Sequence, residues 1–148
     1  MNKASYENEM PSVLTEIAHS AKSHWAYPKE WIASWRDDLT VTEKEILTNI
    51  TLAIKKQDAV IGFTMLMRSA PHFSIEHFWI LPKYIGLGYG KLLMNELLSL
   101  NELKGSTIQV LADPNAEAFY QKCGFHKMAY VPSSIPGRSL PLMELKNA

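Results

Sequence analysis

The chain has 148 residues, of which 47% are hydrophobic and 20% are charged, and these proportions are ordinary for a globular protein with a core of its own. We therefore expect a single domain over residues 1–148. The fifteen basic and fifteen acidic residues cancel, which argues against nucleic acid or an anionic membrane as a main partner. Because Cys123 is the lone cysteine and no apolar run reaches about 18 residues, we expect a cytoplasmic protein without a membrane span.

The first part of the sequence predicts helices. Pro11 suits the first turn of a helix whose apolar residues recur with helical spacing as far as Ala21. Pro28 begins a second predicted helix, and its apolar side chains are Trp31, Ile32, Trp35 and Leu39. Thr42 and Glu45 have the spacing of a capping box, which predicts a short third helix.

The rest of the sequence alternates between strand and helix patterns. Alternating or apolar runs predict strands at 50–55, 59–67, 72–81, 107–111, 125–131 and 140–145, with a turn at Gln57–Asp58. Leucine periodicity predicts a helix over 88–101, with inward-facing Leu92, Leu93, Leu97 and Leu100. Asp113-Pro114 begins a last helix that Gly124 ends. This order predicts an α/β layer structure with a mixed sheet and helices on its faces.

Three alternate glycines, Gly86, Gly88 and Gly90, join the third predicted strand to the leucine helix. A strand that turns through glycines into a helix presents unpaired backbone N–H groups and the positive end of the helix dipole to one point, which favours a phosphate group. A P-loop needs a hydroxyl residue after Gly-Lys, but Leu92 follows Lys91. A dinucleotide-binding fold needs this loop near its first strand, so both of these interpretations are weak.

A second motif spans residues 113–125 and has the sequence Asp-Pro-Asn-Ala-Glu-Ala-Phe-Tyr-Gln-Lys-Cys-Gly-Phe. It resembles the N-x-x-A-x-x-F-Y-x-x-x-G-F signature of the GNAT superfamily of acyl-CoA-dependent N-acyltransferases. The order of the predicted elements is also similar, and the resemblance covers roughly residues 10–146. It implies an α/β (α+β) fold with a mixed, mostly antiparallel central sheet and helices on both faces. The implied activity is direct transfer of an acetyl group from acetyl-CoA to a primary amine in a ternary complex.

The resemblance also implies a cofactor site in which the backbone of the glycine loop holds the pyrophosphate of CoA. The residues matched to cofactor binding are Ile80, Leu81, Ile85, Gly86, Leu87, Gly88, Tyr89, Gly90, Lys91, Asn115 and Phe119. Two features depart from the family pattern. Ile85 stands where Gln or Arg is usual, and the few residues before Pro11 leave room only for a short first strand or none.

Two residues are matched to catalysis. An amine attacks a thioester only when neutral and the departing thiolate gains from an acid, so the chemistry needs a base and a proton donor. The resemblance implies that Tyr120 is the donor, and a phenol with an unperturbed pKa of about 10 suits this role. Glu76 is the candidate base; unbroken alternation would place it on one face with Ile80, and His77 on the other. The alternatives are a core tyrosine and an ordinary strand glutamate.

The acceptor site is less well determined. Trp25 and Tyr27 lie between the first two predicted helices, where the family commonly builds its acceptor pocket, and they either contact the acceptor or pack in the core. Arg138 lies between the last two strands, where it either binds a substrate carboxylate or forms a structural salt bridge. A small amine, an amino acid and a protein N-terminus all stay open as acceptors.

Three further expectations complete the hypothesis. No cluster has the spacing of metal ligands, so no metal is expected. The resemblance adds a homodimer as an expectation. The alternative function is a catalytically silent acyl-CoA-binding or sensing module, and a weaker alternative is an unrelated enzyme that binds a phosphate ligand at the glycine loop.

Overall fold

The computed structural model describes residues 2–3 and 10–148, and these form one mixed sheet with helices on both faces. The strands are β1 (Asn2–Lys3), β2 (Ile50–Lys56), β3 (Ala59–Ser69), β4 (His72–Ile80), β5 (Thr107–Leu111), β6 (His126–Pro132) and β7 (Ser139–Lys146). They lie in the order β1-β2-β3-β4-β5-β7-β6. Only the β4–β5 pair is parallel among the described strands. The predicted fold class is therefore confirmed.

The helices are α1 (Met10–Ser23), α2 (Lys29–Ser34), α3 (Arg36–Leu39), α4 (Glu43–Thr48), α5 (Tyr89–Leu98) and α6 (Glu117–Lys122). Short 3₁₀ turns lie at Pro82–Tyr84, Asn101–Leu103 and Pro114–Ala116. The helix predicted after Pro28 is divided at Trp35 into α2 and α3. The capping box of α4 is confirmed, because Glu45 N donates to Thr42 Oγ1 at 3.2 Å and Thr42 N donates to Glu45 Oε1 at 3.0 Å.

Two apolar layers cover the two faces of the sheet. On one face, α1, α3 and α4 pack over side chains that include Phe63 and Met65 of β3. On the other face, α5 and α6 pack over side chains that include Leu52 of β2 and Ile61 of β3. Five consecutive residues of β2, Ile50–Ile54, are buried because both of its faces are covered.

One helix face differs from the expectation. Leu92, expected to face inward, is 53% exposed. The buried side chains of α5 are Leu93, Met94 and Leu97. These positions recur with helical spacing and form one face of α5, and Leu92 lies just outside this face. The sequence left room for a short first strand or none, and the structure has a short strand, β1, which pairs with β2.

The strand pairing around Glu76 determines where β4 and β5 separate. The register between β3 and β4 shifts at this residue, since Met65 pairs with His77 but Leu66 pairs with Ile75. Parallel pairing of β4 with β5 covers only three residues, Phe73–Ile75, so the two strands separate beyond this bulge. The bulge also interrupts the alternation on which Glu76 and Ile80 were expected to share a face.

Candidate active site

Two cavities meet where β4 and β5 separate. The first, of about 410 Å³, extends along the glycine loop, and we call it the loop cavity. The second, of about 400 Å³, lies between α1, α3 and the segment that joins β6 to β7, and we call it the acceptor cavity. The residues that line both are Phe78, Trp79, Asp113, Ala116 and Tyr120. The two cavities are therefore neighbours that share one wall.

The glycine loop brings backbone donors to the loop cavity. Gly86 and Gly88 have φ values of 81° and 91°, which a residue with a Cβ rarely adopts. Gly88 directly precedes α5, so the N–H groups of the first helical turn have no acceptor within the helix. No atom of the described structure lies within 4 Å of a Cβ placed on Gly86 or Gly88. The loop therefore offers both open space and unpaired donors, which an anion site requires.

Gly90 has a different function in the loop. A Cβ on this residue would lie 3.1 Å from Cε1 of Phe119, a contact tighter than side chains normally make. The absence of a side chain allows Phe119 of α6 to pack against the first turn of α5. Because Tyr120 follows Phe119 directly, this contact also helps to set the position of Tyr120.

Most residues that the sequence matched to the cofactor line the loop cavity. They are Ile80, Ile85, Gly86, Gly88, Gly90, Lys91, Asn115 and Phe119. The other three lie elsewhere. Leu81 packs with the apolar layers, Leu87 is 65% exposed, and the ring of Tyr89 packs edge-on against Tyr84 at a centroid distance of 5.8 Å.

Tyr120 lies at the junction of the cavities and is only 4% exposed. Its ring packs against Phe78, Phe119 and Phe125 at centroid distances of 6.1, 5.3 and 5.4 Å. Its hydroxyl group makes no hydrogen bond to any other described residue. Burial, together with the nearby Cys123 and Asp113, raises the pKa of Tyr120 above its ordinary value. The hydroxyl group therefore stays protonated at neutral pH and can donate a proton.

Glu76 lines the acceptor cavity at the bulge of β4. Burial of its carboxyl group and the nearby charge of Glu45 raise its pKa, and a hydrogen bond from Ser74 opposes this shift. The charge of Glu45 also acts on His77 and opposes the lowering of its pKa by burial. The alternation that predicted Glu76 on one face with Ile80, opposite His77, is interrupted at this residue. The cause is the bulge, which sequence alternation does not reveal.

His77 is 4% exposed and also lines the acceptor cavity. Its Nδ1 accepts a hydrogen bond of 3.0 Å from the indole Nε1–H of Trp79. An indole N–H only donates, so Nδ1 carries no proton in this arrangement. Burial lowers the pKa of His77 and keeps the ring neutral, with its proton on Nε2.

Asp113 connects the two cavities through a network that the sequence analysis missed. Its carboxylate accepts hydrogen bonds from Lys22 Nζ, from the Tyr27 hydroxyl group at 2.8 and 3.0 Å, and from the backbone N–H of Asn115 at 2.8 Å. Burial alone would raise the pKa of Asp113, but Lys22, Asn115 and Tyr27 outweigh it and hold the pKa below its usual value. The motif contained a signal for this residue, because the Asn of N-x-x-A falls at Asp113 and not at Asn115.

The three residues predicted to bind substrate do not share one cavity, and Tyr27 lines neither of the two. Trp25 lines the loop cavity and not the acceptor cavity. The Tyr27 hydroxyl group donates to Asp113 and accepts from Asn115 Nδ2 at 2.9 Å and from Arg138 Nη2 at 3.1 Å. This uses the full hydrogen-bonding capacity of a phenol. Arg138 lines the acceptor cavity.

The described residues contain neither a metal-binding cluster nor a membrane-spanning helix. No group of three or more His, Cys, Asp and Glu side chains there is arranged to hold a metal ion. None of the described helices combines the length and apolar character needed to cross a membrane.

Comparisons with known proteins agree on one family. A family model described as an acetyltransferase (GNAT) domain matches residues 48–127, which is more than half of the chain. The ribosomal protein bS18-alanine N-acetyltransferase of Haemophilus influenzae is 28% identical over 96 residues, an alignment that covers 60% of this chain and 66% of that protein.

Solved structures support the same fold. A GCN5-related N-acetyltransferase from Rhodopseudomonas palustris has a TM-score of 0.78 and 22% identity, covering 99% of this chain and 98% of that one. The PaiA N-acetyltransferase of Thermoplasma acidophilum, solved in complex with coenzyme A, also has a TM-score of 0.78 and 22% identity, covering 98% of both chains. With the family model, the glycine loop and the 113–125 motif in agreement, this chain belongs to the GNAT family of acetyltransferases.

Proposed function

We propose that the protein is an N-acetyltransferase that moves the acetyl group of acetyl-CoA to a primary amine within a ternary complex. The observation that carries this proposal is the position of Tyr120, which lines both cavities where they meet. A donor in the loop cavity and an acceptor in the acceptor cavity would then react beside one protonated hydroxyl group.

The loop cavity has features that fit CoA. Unpaired N–H groups at the start of α5 suit a pyrophosphate, and Lys91 adds positive charge beside them. Beyond the bulge, none of the described strands pairs with β4 on its β5 side, so the backbone of β4 can bind the amide groups of an extended arm. Ile85 lines the cavity with an apolar side chain, and the backbone donors of the loop do not depend on it.

The residues at the junction have distinct proposed roles. Acetyl-CoA, when bound, supplies a thioester whose carbonyl carbon the neutral amine attacks. Glu76 accepts the proton that the attacking nitrogen loses, directly or through water. Tyr120 donates its proton to the sulfur as the carbon–sulfur bond breaks, so the products are the N-acetyl amine and the free thiol. Cys123 has no place in this sequence, because burial raises its pKa and it lines neither cavity.

The remaining roles extend the same proposal. The cofactor-matched residues that line the loop cavity bind CoA. Of the residues expected at the acceptor, Arg138 contacts it, Tyr27 holds Arg138 through its hydroxyl group, and Trp25 borders the site from the loop cavity. We also propose that the protein acts in the cytoplasm and forms a homodimer, without a metal ion and without nucleic acid or membrane as a partner. These assignments follow from the composition and the family resemblance.

The test is thiol release by the purified protein with acetyl-CoA and a panel of primary amines that covers polyamines, amino acids and peptides. We expect release of CoA in step with formation of an N-acetyl product, identified by mass spectrometry. Tight CoA binding without turnover of any amine would instead favour the silent binding module. Binding of ATP or NAD in preference to CoA would favour an unrelated phosphate-ligand enzyme.

A further inference from the structure

Arg138 is a nearly buried cation whose hydrogen-bonding capacity is largely unused. Its side chain is 12% exposed, and among the described residues its one hydrogen bond joins Nη2 to the Tyr27 hydroxyl oxygen at 3.1 Å. A guanidinium group carries several N–H donors in a planar fork that matches a carboxylate. An arginine with so little exposure gains from an anion that its free N–H groups can bind. These remaining donors are not sealed from solvent, so an anion that enters the acceptor cavity can reach them.

The nearby carboxylate of Asp113 does not accept a hydrogen bond from Arg138. Its oxygen Oδ2 lies 3.8 Å from Arg138 Nη2, which is beyond hydrogen-bonding distance. Lys22, Tyr27 and the backbone N–H of Asn115 already occupy the Asp113 oxygens. Two cations thus share one carboxylate, and this wall of the acceptor cavity carries one surplus positive charge.

The aromatic rings beside these cations are occupied as well. The Trp35 ring lies 4.2 Å from Lys22 Nζ and 4.9 Å from Arg138 Cζ, measured to the ring centroid. Arg138 Cζ also lies 5.1 Å from the centroid of Tyr27. An acceptor with a second positive charge would find these faces in use and would be repelled by both residues.

The opposite charge lies elsewhere in the same cavity. Glu76 and Asp38 line it as well, and neither forms an ion pair with Arg138 within 4 Å. The cavity therefore has an acidic part, which suits an incoming ammonium group, and a basic part, which suits an anion. Ser134 lines the cavity close in sequence to Arg138 and adds a small hydroxyl donor, whereas the Ser133 hydroxyl group already donates to the backbone oxygen of Ile135 at 3.2 Å.

We propose that the acceptor is a primary amine that also carries a carboxylate, and that Arg138 binds this carboxylate with support from the charge of Lys22. The inference rests on the proposed function and names the substrate class of that site. The carboxylate belongs either to a free amino acid or to an acidic side chain near the N-terminus of a peptide. The chemistry of recognition is the same in both cases.

The experiment compares acceptors that differ only in this charge. Purified protein is given acetyl-CoA with a series of α- and ω-amino acids and with the matched amides and methyl esters. A second arm compares Ala-Glu-amide with Ala-Gln-amide. In at least one arm we expect kcat/KM to be about 10-fold or more higher for the carboxylate, mostly through KM, because the interaction is present before the reaction begins.

Two variants locate the effect. Arg138→Gln replaces the guanidinium group with a shorter, uncharged polar side chain, and we expect it to remove most of the preference for the carboxylate. Arg36→Gln removes an exposed arginine that lines neither cavity, and the preference should persist. If Arg138→Gln fails to fold, inhibition of the wild-type protein by propionate, competitive with the amine, replaces it. Propionate lacks an amine and tests the anion site alone.

The outcomes separate the two proposals. Equal kcat/KM for acids and amides in both arms, with no inhibition by propionate, would overturn the carboxylate site while acetyl transfer itself stands. A preference for polyamines over every carboxylate-bearing amine would overturn it as well. Absence of turnover with the whole panel would instead overturn the proposed function.

Discussion

The loop cavity and the acceptor cavity differ in how the chain builds them. The loop cavity draws most of its lining from two short contiguous segments, residues 78–91 and 113–120, and its expected anion donors are backbone N–H groups. The acceptor cavity depends on side chains from distant parts of the chain, and the hydrogen bond between Arg138 and Tyr27 spans 111 positions. A site built from backbone donors tolerates a changed side chain, such as Ile85 in place of the usual Gln or Arg. A site built from side chains does not. This difference predicts how each cavity responds to substitution.

The largest expected effect is a loss of protein stability when the carboxylate of Asp113 is removed from the wall of the acceptor cavity. Asp113→Ala removes the one carboxylate between Lys22 and Arg138 and leaves two nearly buried cations facing each other. We expect the free energy of unfolding to fall by about 3 kcal/mol or more, as when one partner of a buried ion pair is removed. Denaturant unfolding measures the change, and Asp37→Ala, at an exposed position of α3, is the matched control. A cost below about 1 kcal/mol would mean that Asp113 does not organise this wall.

The second prediction concerns Tyr120, which lies where the two cavities meet. Tyr120→Phe removes only the hydroxyl group and keeps the ring contacts, so stability should change little. If the hydroxyl group protonates the departing sulfur, kcat should fall on the order of 10- to 100-fold while the dissociation constant of CoA stays nearly the same. Tyr130→Phe, at a tyrosine that is 59% exposed on β6, is the control. Full kcat in Tyr120→Phe, measured where chemistry limits turnover, would make Tyr120 a core residue.

The third prediction tests the backbone site. Gly88→Asp places a carboxylate where the loop is expected to meet phosphate, and CoA binding should weaken at least about 10-fold. Gly105→Asp is the matched control, because Gly105 also has a positive φ and open space where a Cβ would lie but lines neither cavity. Both variants incur a similar backbone strain. Calorimetric titration with CoA should therefore separate them, and equal affinity in the two folded variants would move the pyrophosphate away from this loop.

The smallest expected effect concerns Glu76. Its raised pKa means that the carboxyl group stays protonated to a higher pH than a free glutamate, whose pKa is about 4.3. As the pH falls, the base is lost early, so the acidic limb of kcat/KM should lie above that value. Glu76→Gln should lower kcat/KM several-fold at neutral pH and displace this limb. A wild-type pH profile in Glu76→Gln would leave Glu76 as an ordinary strand residue.

The sequence analysis succeeded where structure is local. The capping box at Thr42 and Glu45, the turn at Gln57–Asp58 and the places of the strands along the chain follow from neighbouring residues, and the structure has them all. The glycine loop could be predicted for the same reason. Its donors belong to consecutive residues, so spacing alone brings them together.

Other features were beyond the sequence. Nothing in the sequence around Glu76 marks a bulge, because a bulge depends on the register that two strands adopt together. The division of the second helix at Trp35 likewise accompanies the packing of that ring against Tyr27 and Lys22. Leu92 was misplaced because two adjacent leucines, Leu92 and Leu93, do not reveal which of them faces the core.

The sequence by itself determined the place of the glycine loop and the succession of strands and helices, because short-range patterns of glycine, proline and apolar residues specify local backbone geometry. The family came from the resemblance of the 113–125 motif to a known signature. Only the tertiary structure decided that Lys22, Tyr27, Asp113 and Arg138 form one network, and that its charges do not balance. Electrostatic interaction depends on distance in space. These residues come close only when α1, the end of β5 and the segment between β6 and β7 pack together.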